Sequence, residues 1–490
     1  MASEEGSNAR AKPSTVPTSE TGQEENEPKE YTNLFFQRQL GFKWAATFMF
    51  IHGMGYGMVQ GYYGAVQFNL NSLGATFNQL STYSLANYPY TFKFMLAPLF
   101  DRYYLHMVGR SKTYVIAGGA LIGVMFMFLG PTIQTMIENL QVGALTAIFV
   151  VAITLVQVVI IAGDTWIMTL FSKETKAKGV AFQSAGQTLG VLFTYNIFTP
   201  LNDTEWLNQN LFPNNPRTSP ILTHSMVCFI IAVFFLAQIT VNLLFIAEEK
   251  INDKKAKNIC NILKIVPRHF TNSYIRKLIL YMFATRFIYF MVDSSFDFKL
   301  VRNGYFNMTR SVIPNIDTIM TPLAIVTSLF MIYYLRKGIL MKMYHLTMIY
   351  IVLNGFARYL IYLNLVENKD YTLAVIARFF TSFVTSLDFS TIYMFSFVSS
   401  FVNKAIGNTG ISCLMAIMNQ TVFLSRTLGF AMLDWFSYDL VVLSCLSVQL
   451  IILLATYRYV DWFDKRDSRY FDITEAEVKE GTYPTNVKSQ

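Results

Sequence analysis

Residues 143–170, GALTAIFVVAITLVQVVIIAGDTWIMTL, decide the class of fold. From 143 to 163 this run carries no charged side chain, and a helix of such length crosses the roughly 30 Å hydrocarbon core of a bilayer. Comparable apolar runs begin near positions 43, 81, 113, 143, 180, 221, 277, 313, 341, 371, 406 and 438. The sequence therefore predicts an all-α membrane protein with twelve transmembrane helices.

The composition points the same way. Of the 490 residues, 53% are hydrophobic and 14% are charged, against about 25% charged in soluble domains. The four cysteines lack CxxC spacing and the five histidines form no metal-ligand motif, so we expect no metal or other cofactor. The net charge of +8 lies in short loops between apolar runs, which indicates a lipid bilayer rather than nucleic acid as the partner.

Three polar segments organise the chain. Residues 1–42 have no sustained apolar period, which predicts a disordered cytosolic tail, and residues 461–490 form a second polar tail on the same side. The basic segment 248–276 separates the apolar runs into residues 43–247 and 277–460. Two six-helix halves joined by a cytosolic linker are the layout of a major facilitator transporter.

The orientation follows from the distribution of Lys and Arg. These residues are concentrated in the loops after even-numbered spans, which are therefore predicted to face the cytosol. The loops after spans 1, 3 and 5 contain only Arg217, whereas the loop after span 7 is an exception with Arg302 and Arg310. Glycosylation sequons at Asn202 and Asn307 fall on the opposite, luminal side, so a glycoprotein is expected.

Polar side chains within apolar spans indicate where function lies, because burying them in lipid is costly and they normally face a cavity. Arg286, Asp293 and Asp297 share one helix face at seven- and four-residue spacing. On the same reasoning, the predicted substrate-binding residues are His52, Tyr56, Gln60, Lys93, Asp164, Gln187, Arg286, Asp293, Asp297, Arg378, Asp388, Asn419 and Arg426. With Arg358 also available, the cations favour an anionic solute, since guanidinium groups bind phosphate and carboxylate through paired hydrogen bonds.

A purely structural interpretation stays open for several of these residues. Arg286 with Asp293, or Arg378 with Asp388, could pair only to hold helices together. His52 could be a hydrogen-bonded packing residue, and the acidic groups could brace arginines or carry protons. The span 1 glycines at 53, 55, 57, 61 and 64 are more typical of close helix packing than of a phosphate cradle.

Several short motifs occur in a fixed order. They are Phe92-Lys93, Ala97-Pro98-Leu99, Asp101 and Gly109-Arg110-Ser111-Lys112, then Asp164-Thr165-Trp166, then SAGQTLG at 184–190, and then Asp293 with Lys299-Leu300-Val301. In this order and spacing they resemble the acetyl-coenzyme A transporter family of the major facilitators, over roughly residues 31 to 465. Asp101, Gly109, Arg110 and Lys112 fall in the loop motif after span 2 and are predicted to form a cytosolic latch.

The resemblance implies a transporter, not an enzyme, that moves acetyl-coenzyme A from the cytosol into the endoplasmic reticulum or Golgi lumen by alternating access. Where the family has a Gln-Asp pair, this chain has Val159 and Ile160, which leaves another bulky organic anion (peptide, glutathione-like or drug-like) as the alternative. A membrane-bound acyltransferase ranks last, because no luminal-side histidine stands in a motif. A plasma membrane location and a homodimer are compatible with the sequence.

Overall fold

The computed structural model describes residues 41–105, 107–171, 176–246, 273–301, 311–331, 339–368, 371–401 and 407–465. The regular elements in these ranges are helices. We call residues 41–246 the N-terminal part and residues 273–465 the C-terminal part. Most of the predicted tails and of the basic linker, together with Asn307, lie outside the described ranges.

The N-terminal part contains nine α-helices. They are α1 (Phe42–Ser72), α2 (Phe77–Ser84), α3 (Pro89–Arg102), α4 (Arg110–Glu138), α5 (Val142–Leu170), α6 (Lys176–Val191), α7 (Phe198–Leu201), α8 (Thr204–Asn210) and α9 (His224–Phe245). A 3-10 turn, Leu85–Asn87, joins α2 towards α3, and a π-helical segment, Leu192–Ile197, connects α6 to α7. The apolar run that begins near 81 is therefore made of two helices and a turn.

The described residues of the C-terminal part form seven further helices. They are α10 (Ser273–Val301), α11 (Val312–Met331), α12 (Leu340–Asn368), α13 (Tyr371–Ser386), α14 (Ser390–Phe401), α15 (Gly407–Trp435) and α16 (Tyr438–Asp464). Within the described ranges, α4, α5, α9, α12 and α16 are long and apolar enough to cross a membrane by length and composition. The all-helical membrane fold is thus confirmed, and the count of twelve transmembrane helices stays a prediction.

Local sequence explains how α1 ends and α2 begins. Gly74 adopts a φ of +90°, which suits glycine, and the amide of Ala75 donates to the Leu70 carbonyl at 3.0 Å. Thr76 then caps α2, because its hydroxyl accepts from the Gln79 amide at 3.1 Å while the Gln79 side chain accepts from the Thr76 amide at 2.8 Å. The chain reverses direction in this short turn.

The helices pair in the same way in both parts of the chain. In the N-terminal part α1 packs on α6 and α4 packs on α9, while in the C-terminal part α10 packs on α15 and α12 packs on α16. The two parts meet where α15 packs against α2 and α3, and where α11 packs against α6 and the π-helical segment. A cavity lies along this interface.

Glycines let α1 and α6 approach closely. A Cβ atom at Gly53 or Gly57 would overlap the backbone carbonyl of Gln183 or Gln187, and one at Gly186 would overlap the Phe50 carbonyl. In the C-terminal part, Gly429 of α15 lies against the Met291 carbonyl of α10 in the same manner. Gly53 and Gly57 of span 1 therefore serve close helix packing, as the sequence predicts.

Candidate functional site

A cavity of about 490 Å³ lies between the two parts of the chain. Its walls come from α1, the 3-10 turn, α6, the π-helical segment, α10, α11, α12, α13 and α15. The polar residues that line it are Gln60, Tyr63, Gln67, Asn87, Gln187, Tyr195, Asn196, Asp293, Asp297, Asp317, Thr321, Arg358, Arg378, Ser382, Thr385 and Arg426. The π-helical segment matters here, because it places both Tyr195 and Asn196 on the cavity wall.

The charges of the cavity are distributed unequally. Every charged residue that lines it belongs to the C-terminal part: Asp293, Asp297, Asp317, Arg358, Arg378 and Arg426. The N-terminal part contributes neutral amides and phenols to the same wall. Three carboxylates and three guanidinium groups give this set a formal charge of zero.

The first ion-pair group is centred on Asp293 of α10. Its Oδ1 lies 3.4 Å from Nη1 of Arg358 on α12, and its Oδ2 lies 3.3 Å from Nη2 of Arg426 on α15. The Tyr289 hydroxyl, one turn earlier on α10, donates to Asp293 Oδ1 at 3.0 Å. One carboxylate thus connects three helices of the C-terminal part.

The second group is centred on Arg378 of α13. Its Nη2 lies 3.2 Å from Oδ2 of Asp297 on α10 and 3.3 Å from Oδ2 of Asp317 on α11. The Ser382 hydroxyl donates to the other oxygen of Asp317 at 2.6 Å. Arg378 therefore shares a single nitrogen between two carboxylates.

Arg358, Arg378 and Arg426 each have N–H groups that donate to none of the described residues. Within the described residues, Nε and Nη1 of Arg378, Nε of Arg358 and Nε of Arg426 are buried and have no hydrogen-bond partner. Arg378 is 5% exposed and Arg358 is 6% exposed. Because a buried donor without a partner costs free energy, an anionic ligand that accepts from these N–H groups would be stabilised here.

The structure brings together six of the predicted substrate-binding residues and places the other seven elsewhere. Gln60, Gln187, Asp293, Asp297, Arg378 and Arg426 line the cavity. His52, Tyr56, Lys93, Asp164, Arg286, Asp388 and Asn419 are absent from its lining. Lys93 and Asp164 instead form a separate buried ion pair in the N-terminal part, at 3.5 Å.

The helix-bracing pairs considered from the sequence differ from those in the structure. Asp293 pairs with Arg358 and Arg426 rather than with Arg286, because the latter lies two turns away along α10. Arg286 is 4% exposed and stacks on Phe290 at 5.0 Å. It has no carboxylate partner among the described residues.

Asp388 is likewise separate from Arg378. It is exposed, and its Oδ1 accepts from the Ser390 amide at 2.9 Å, where α14 begins. This residue lies in the break between α13 and α14, which the apolar run at 371 does not reveal. Arg378 instead forms ion pairs with Asp297 of α10 and Asp317 of α11.

His52, a predicted substrate-binding residue, and Asn202, a predicted glycosylation site, both lie in packed surroundings. His52 is buried against Trp166, and its Nδ1 lies 3.3 Å from Nε2 of Gln238. Asn202 is 8% exposed, and its amide nitrogen donates to the Leu222 carbonyl at 2.9 Å. A glycan on Asn202 would have to replace this contact.

The predicted cytosolic latch lies at the start of α4. Lys112 is fully buried, and its Nζ donates to the Ile246 carbonyl just beyond α9 at 2.5 Å. Gly109 precedes α4 with a φ of +110° and Arg110 begins the helix. The backbone of Asp101 belongs to α3. Lys112 therefore ties two helices of the N-terminal part to each other.

Sequence reasoning missed several cavity residues. Asp317 lies in the apolar run of α11, so the rule that flagged the other intramembrane charges would also have found it. Gln67 lies seven residues after Gln60 in α1, so the same rule would have found it, whereas Asn87 and Asn196 lie in a 3-10 turn and a π-helical segment that the sequence does not reveal. Arg358 was noted as an available cation, but its position in the cavity required the fold.

Several contacts join the two parts at one end of the bundle, which we call the Asn202 end. Side-chain hydrogen bonds across the interface join Asn71 to the Phe298 carbonyl (3.2 Å), Ser81 to the Thr427 carbonyl (3.0 Å), Asn196 to Thr321 (2.8 Å) and Ser311 to Asp203 (2.5 Å). Phe77 also stacks on Phe430. Within the described residues, such side-chain contacts run from mid-bundle to this end.

The fold is similar to that of solved major facilitator transporters. Similar solved structures include the Major Facilitator Superfamily transporter FucP in its outward conformation (TM-score 0.52, 13% identity, 88% of this chain and 99% of that one). A D-xylose-proton symporter gives a TM-score of 0.55 at 10% identity, covering 88% of this chain and 100% of that one. At such identities the likeness concerns the fold alone.

Sequence comparison relates part of the chain to one transporter family. Residues 44–254, less than half of the chain, match the family model described as Acetyl-coenzyme A transporter 1, which confirms the predicted resemblance for this stretch and leaves the motif at 293–301 outside it. The matching family model and the similar solved structures are those of transporters.

Two fungal proteins are also similar to the chain. The uncharacterized membrane protein YBR220C of Saccharomyces cerevisiae is 26% identical over 207 residues, which is 38% of this chain and 37% of that protein. The uncharacterized protein C21B10.09 of Schizosaccharomyces pombe is 23% identical over 378 residues, which is 75% of this chain and 70% of that protein. The match to the budding-yeast protein thus spans little more than a third of that relative's length.

Proposed function

We propose that this membrane transporter moves acetyl-coenzyme A from the cytosol into the lumen of the endoplasmic reticulum or Golgi by alternating access. The observation that carries the proposal is the set of buried arginine N–H groups without partners in the cavity between the two parts of the chain. The family match over residues 44–254 supports the choice of solute. The fold supplies the mechanism, because rocking one part against the other exposes a central site to each side in turn.

The chemistry of the cavity suits a nucleotide-containing anion. Guanidinium groups bind phosphate oxygens through charge-assisted hydrogen bonds, and Arg358, Arg378 and Arg426 each hold an unused donor. Aromatic rings suit the adenine base and the apolar parts of the pantetheine arm, and the cavity is lined by Tyr63, Phe68, Tyr195, Phe298 and Phe423. Its volume of about 490 Å³ lies within the usual range for small-molecule sites.

The carboxylates of the cavity give the arginines partners before the solute binds. An incoming phosphate would compete with Asp297 and Asp317 for Arg378, and with Asp293 for Arg426. Binding is then an exchange of one anionic partner for another, and its net strength depends on the donors that only the solute satisfies. This arrangement keeps the empty site folded and leaves it ready for an anion.

The proposed direction rests on the loop charges together with the interface contacts. Lys and Arg bias places the Asn202 end of the bundle in the lumen. Contacts such as Asn71 with Phe298 and Ser311 with Asp203 join the two parts at that end. A cavity closed towards the lumen would accept its solute from the cytosol.

The alternative within the same class is another bulky organic anion, such as a peptide or a glutathione-like solute. It was motivated by Val159 and Ile160, which replace polar residues of the family pattern. In the structure both are buried, neither lines the cavity, and Val159 faces Gly118 of α4. The departure from the family pattern thus lies outside the cavity lining and gives no reason to prefer another solute.

Equilibrium binding to the purified protein tests the proposal. We expect calorimetric titration to show tightest binding for acetyl-coenzyme A, weaker binding for adenosine 3′,5′-bisphosphate, and none for glutathione. Arg378→Gln should abolish the heat of binding at wild-type concentrations, whereas Arg217→Gln, in an exposed loop, should leave it unchanged. Tighter binding of glutathione or a peptide would transfer the proposal to the alternative solute.

A further inference from the structure

The N-terminal part contains its own buried ion pair outside the cavity. Nζ of Lys93 on α3 lies 3.5 Å from Oδ2 of Asp164 on α5, and their side chains are 8% and 14% exposed. Neither residue is part of the cavity lining, whose charged members all come from the C-terminal part. The mechanism proposed above gives this pair no role.

Helices from several directions enclose Asp164. Tyr56 of α1 and Gln183 of α6 lie beside its carboxylate, and Lys93 is its cationic partner. Although α2, α4 and α15 also pack on α5, none of their described residues hydrogen-bonds to Asp164. His52 of α1 lies against the neighbouring Gly163 and contacts Gln238 instead. Among the described residues, Lys93 is the positive charge that pairs with Asp164.

A short polar path connects this pair to the cavity. Tyr56, which lies beside Asp164, also lies next to Gln187 of α6. Gln187 in turn donates to Oε1 of Gln60 at 2.9 Å, and both amides line the cavity. Because α1 and α6 pack through glycine with no room between them, a shift at one end of this path is transmitted along both helices.

Charge balance links the pair to solute binding. The charged lining of the cavity sums to zero, so an anion that enters it brings uncompensated negative charge into a poorly screened interior. A proton on Asp164 would leave Lys93 as an unpaired cation, and the polar path through Tyr56, Gln187 and Gln60 connects this pair to the cavity. An unpaired buried cation is costly on its own, and therefore anion and proton each favour binding of the other.

We propose that Asp164, in its pair with Lys93, is a proton-binding site that couples anion transport to proton movement in the same direction. This inference rests on the transport function proposed above. In each cycle a proton from solvent binds a carboxylate oxygen of Asp164, and the ion pair with Lys93 opens. After the conformational change the proton leaves to the opposite side and the ion pair re-forms, with no other bond made or broken.

Uptake of radiolabelled acetyl-coenzyme A by proteoliposomes, with the membrane potential clamped by potassium and valinomycin, tests this coupling. With the outside about one pH unit more acidic than the inside, one proton per solute supports about tenfold accumulation by the wild type. Asp164→Asn should lose this accumulation. It should still catalyse counterflow exchange of labelled for unlabelled solute, since exchange needs no net proton movement.

Two further variants serve as controls for Asp164→Asn. Asp434→Asn removes an exposed carboxylate near the end of α15 and should retain the full pH-driven accumulation. Lys93→Gln combined with Asp164→Asn leaves no buried charge unpaired, and it should fold and show the same loss as the single variant even if the latter misfolds. Counterflow by the wild type without acid-driven accumulation, or accumulation retained when Asp164 is neutralised, would overturn the coupling site. Absence of counterflow in the wild type would instead count against the transport of acetyl-coenzyme A itself.

Discussion

Nη2 of Arg378 lies 3.2 Å from Oδ2 of Asp297, across the gap between α13 and α10. The same guanidinium has two further nitrogen atoms, Nε and Nη1, without a partner among the described residues. One nitrogen therefore holds the helices together, while the other two are buried and would gain a partner only from an anion that reaches them. This division of roles underlies the proposal that the cavity binds an anion.

Arg378→Gln should weaken binding of acetyl-coenzyme A about ten- to hundredfold, corresponding to roughly 1.5–3 kcal/mol for hydrogen bonds to a charged group. The loss arises because the glutamine amide cannot supply the guanidinium donors to a phosphate. Isothermal titration of the purified variant measures it. An affinity equal to that of the wild type would remove Arg378 from the site.

The structural role of Arg378 calls for a companion variant. Arg378→Gln alone leaves Asp297 and Asp317 without their cation, which destabilises the protein. Neutralising all three residues (Arg378→Gln, Asp297→Asn and Asp317→Asn) should restore thermal stability but not affinity. Recovery of both properties together would mean that Arg378 only braces the helices.

Arg286 should behave in the opposite way. It is 4% exposed, lies outside the cavity lining and has no acidic partner in the described part of the chain. Arg286→Met removes a buried charge and keeps an unbranched apolar side chain against Phe290, so we expect equal or higher thermal stability. Affinity for acetyl-coenzyme A should change by no more than about twofold, which is under 0.5 kcal/mol. A loss as large as that of Arg378→Gln would place Arg286 in the solute's path.

The contrast between these two arginines shows what the sequence could and could not predict. Both lie in apolar runs, so the cost of burying charge correctly marks both as interior residues. Their roles depend on which helices face each other across the interface. The spacing of Arg286 and Asp293 places them on one face of a helix, two turns apart, whereas Asp293 reaches Arg358 and Arg426 on two other helices. Within-helix spacing carries no information about such partners.

The glycine contacts between α1 and α6 predict a sharp difference between two positions on one helix. Gly57→Ala should destabilise the protein by about 1–3 kcal/mol, because its Cβ would overlap the Gln187 carbonyl. Gly64→Ala is the matched control, since its Cβ would lie 3.7 Å from the Tyr195 ring, an ordinary contact distance. Thermal unfolding in detergent measures both. Equal melting temperatures for the two variants would contradict the packing described for α1 and α6.

The close packing of these glycines could be predicted from the sequence, whereas the breaks between helices could not. Glycine at 53 and 57 recurs at one-turn spacing, which is the pattern of a close helix contact. The break at 387–389 between α13 and α14 lies within what the sequence predicts as one span, and no proline or glycine marks it. The cavity wall contributed by Tyr195 and Asn196 likewise depends on a π-helical segment that periodicity does not reveal.

Asn202 should carry no glycan despite its sequon. Its amide nitrogen is hydrogen-bonded to the Leu222 carbonyl at 2.9 Å and the residue is 8% exposed, so the sugar would have no space. We expect a glycosidase-sensitive mass shift, where present, to disappear in Asn307→Gln and to persist in Asn202→Gln. Mass spectrometry of the intact protein distinguishes the two. Loss of the shift in Asn202→Gln alone would require the loop after α7 to adopt another arrangement.

Counterflow of labelled acetyl-coenzyme A into proteoliposomes that contain the purified protein tests the proposed function most directly. Vesicles preloaded with unlabelled acetyl-coenzyme A should take up the labelled solute, whereas protein-free vesicles should not and vesicles with Arg378→Gln should take up much less at the same concentration. Preloading with glutathione should give no exchange. Uptake indistinguishable from that of protein-free vesicles, with the protein folded and inserted, would contradict transport of acetyl-coenzyme A by this chain.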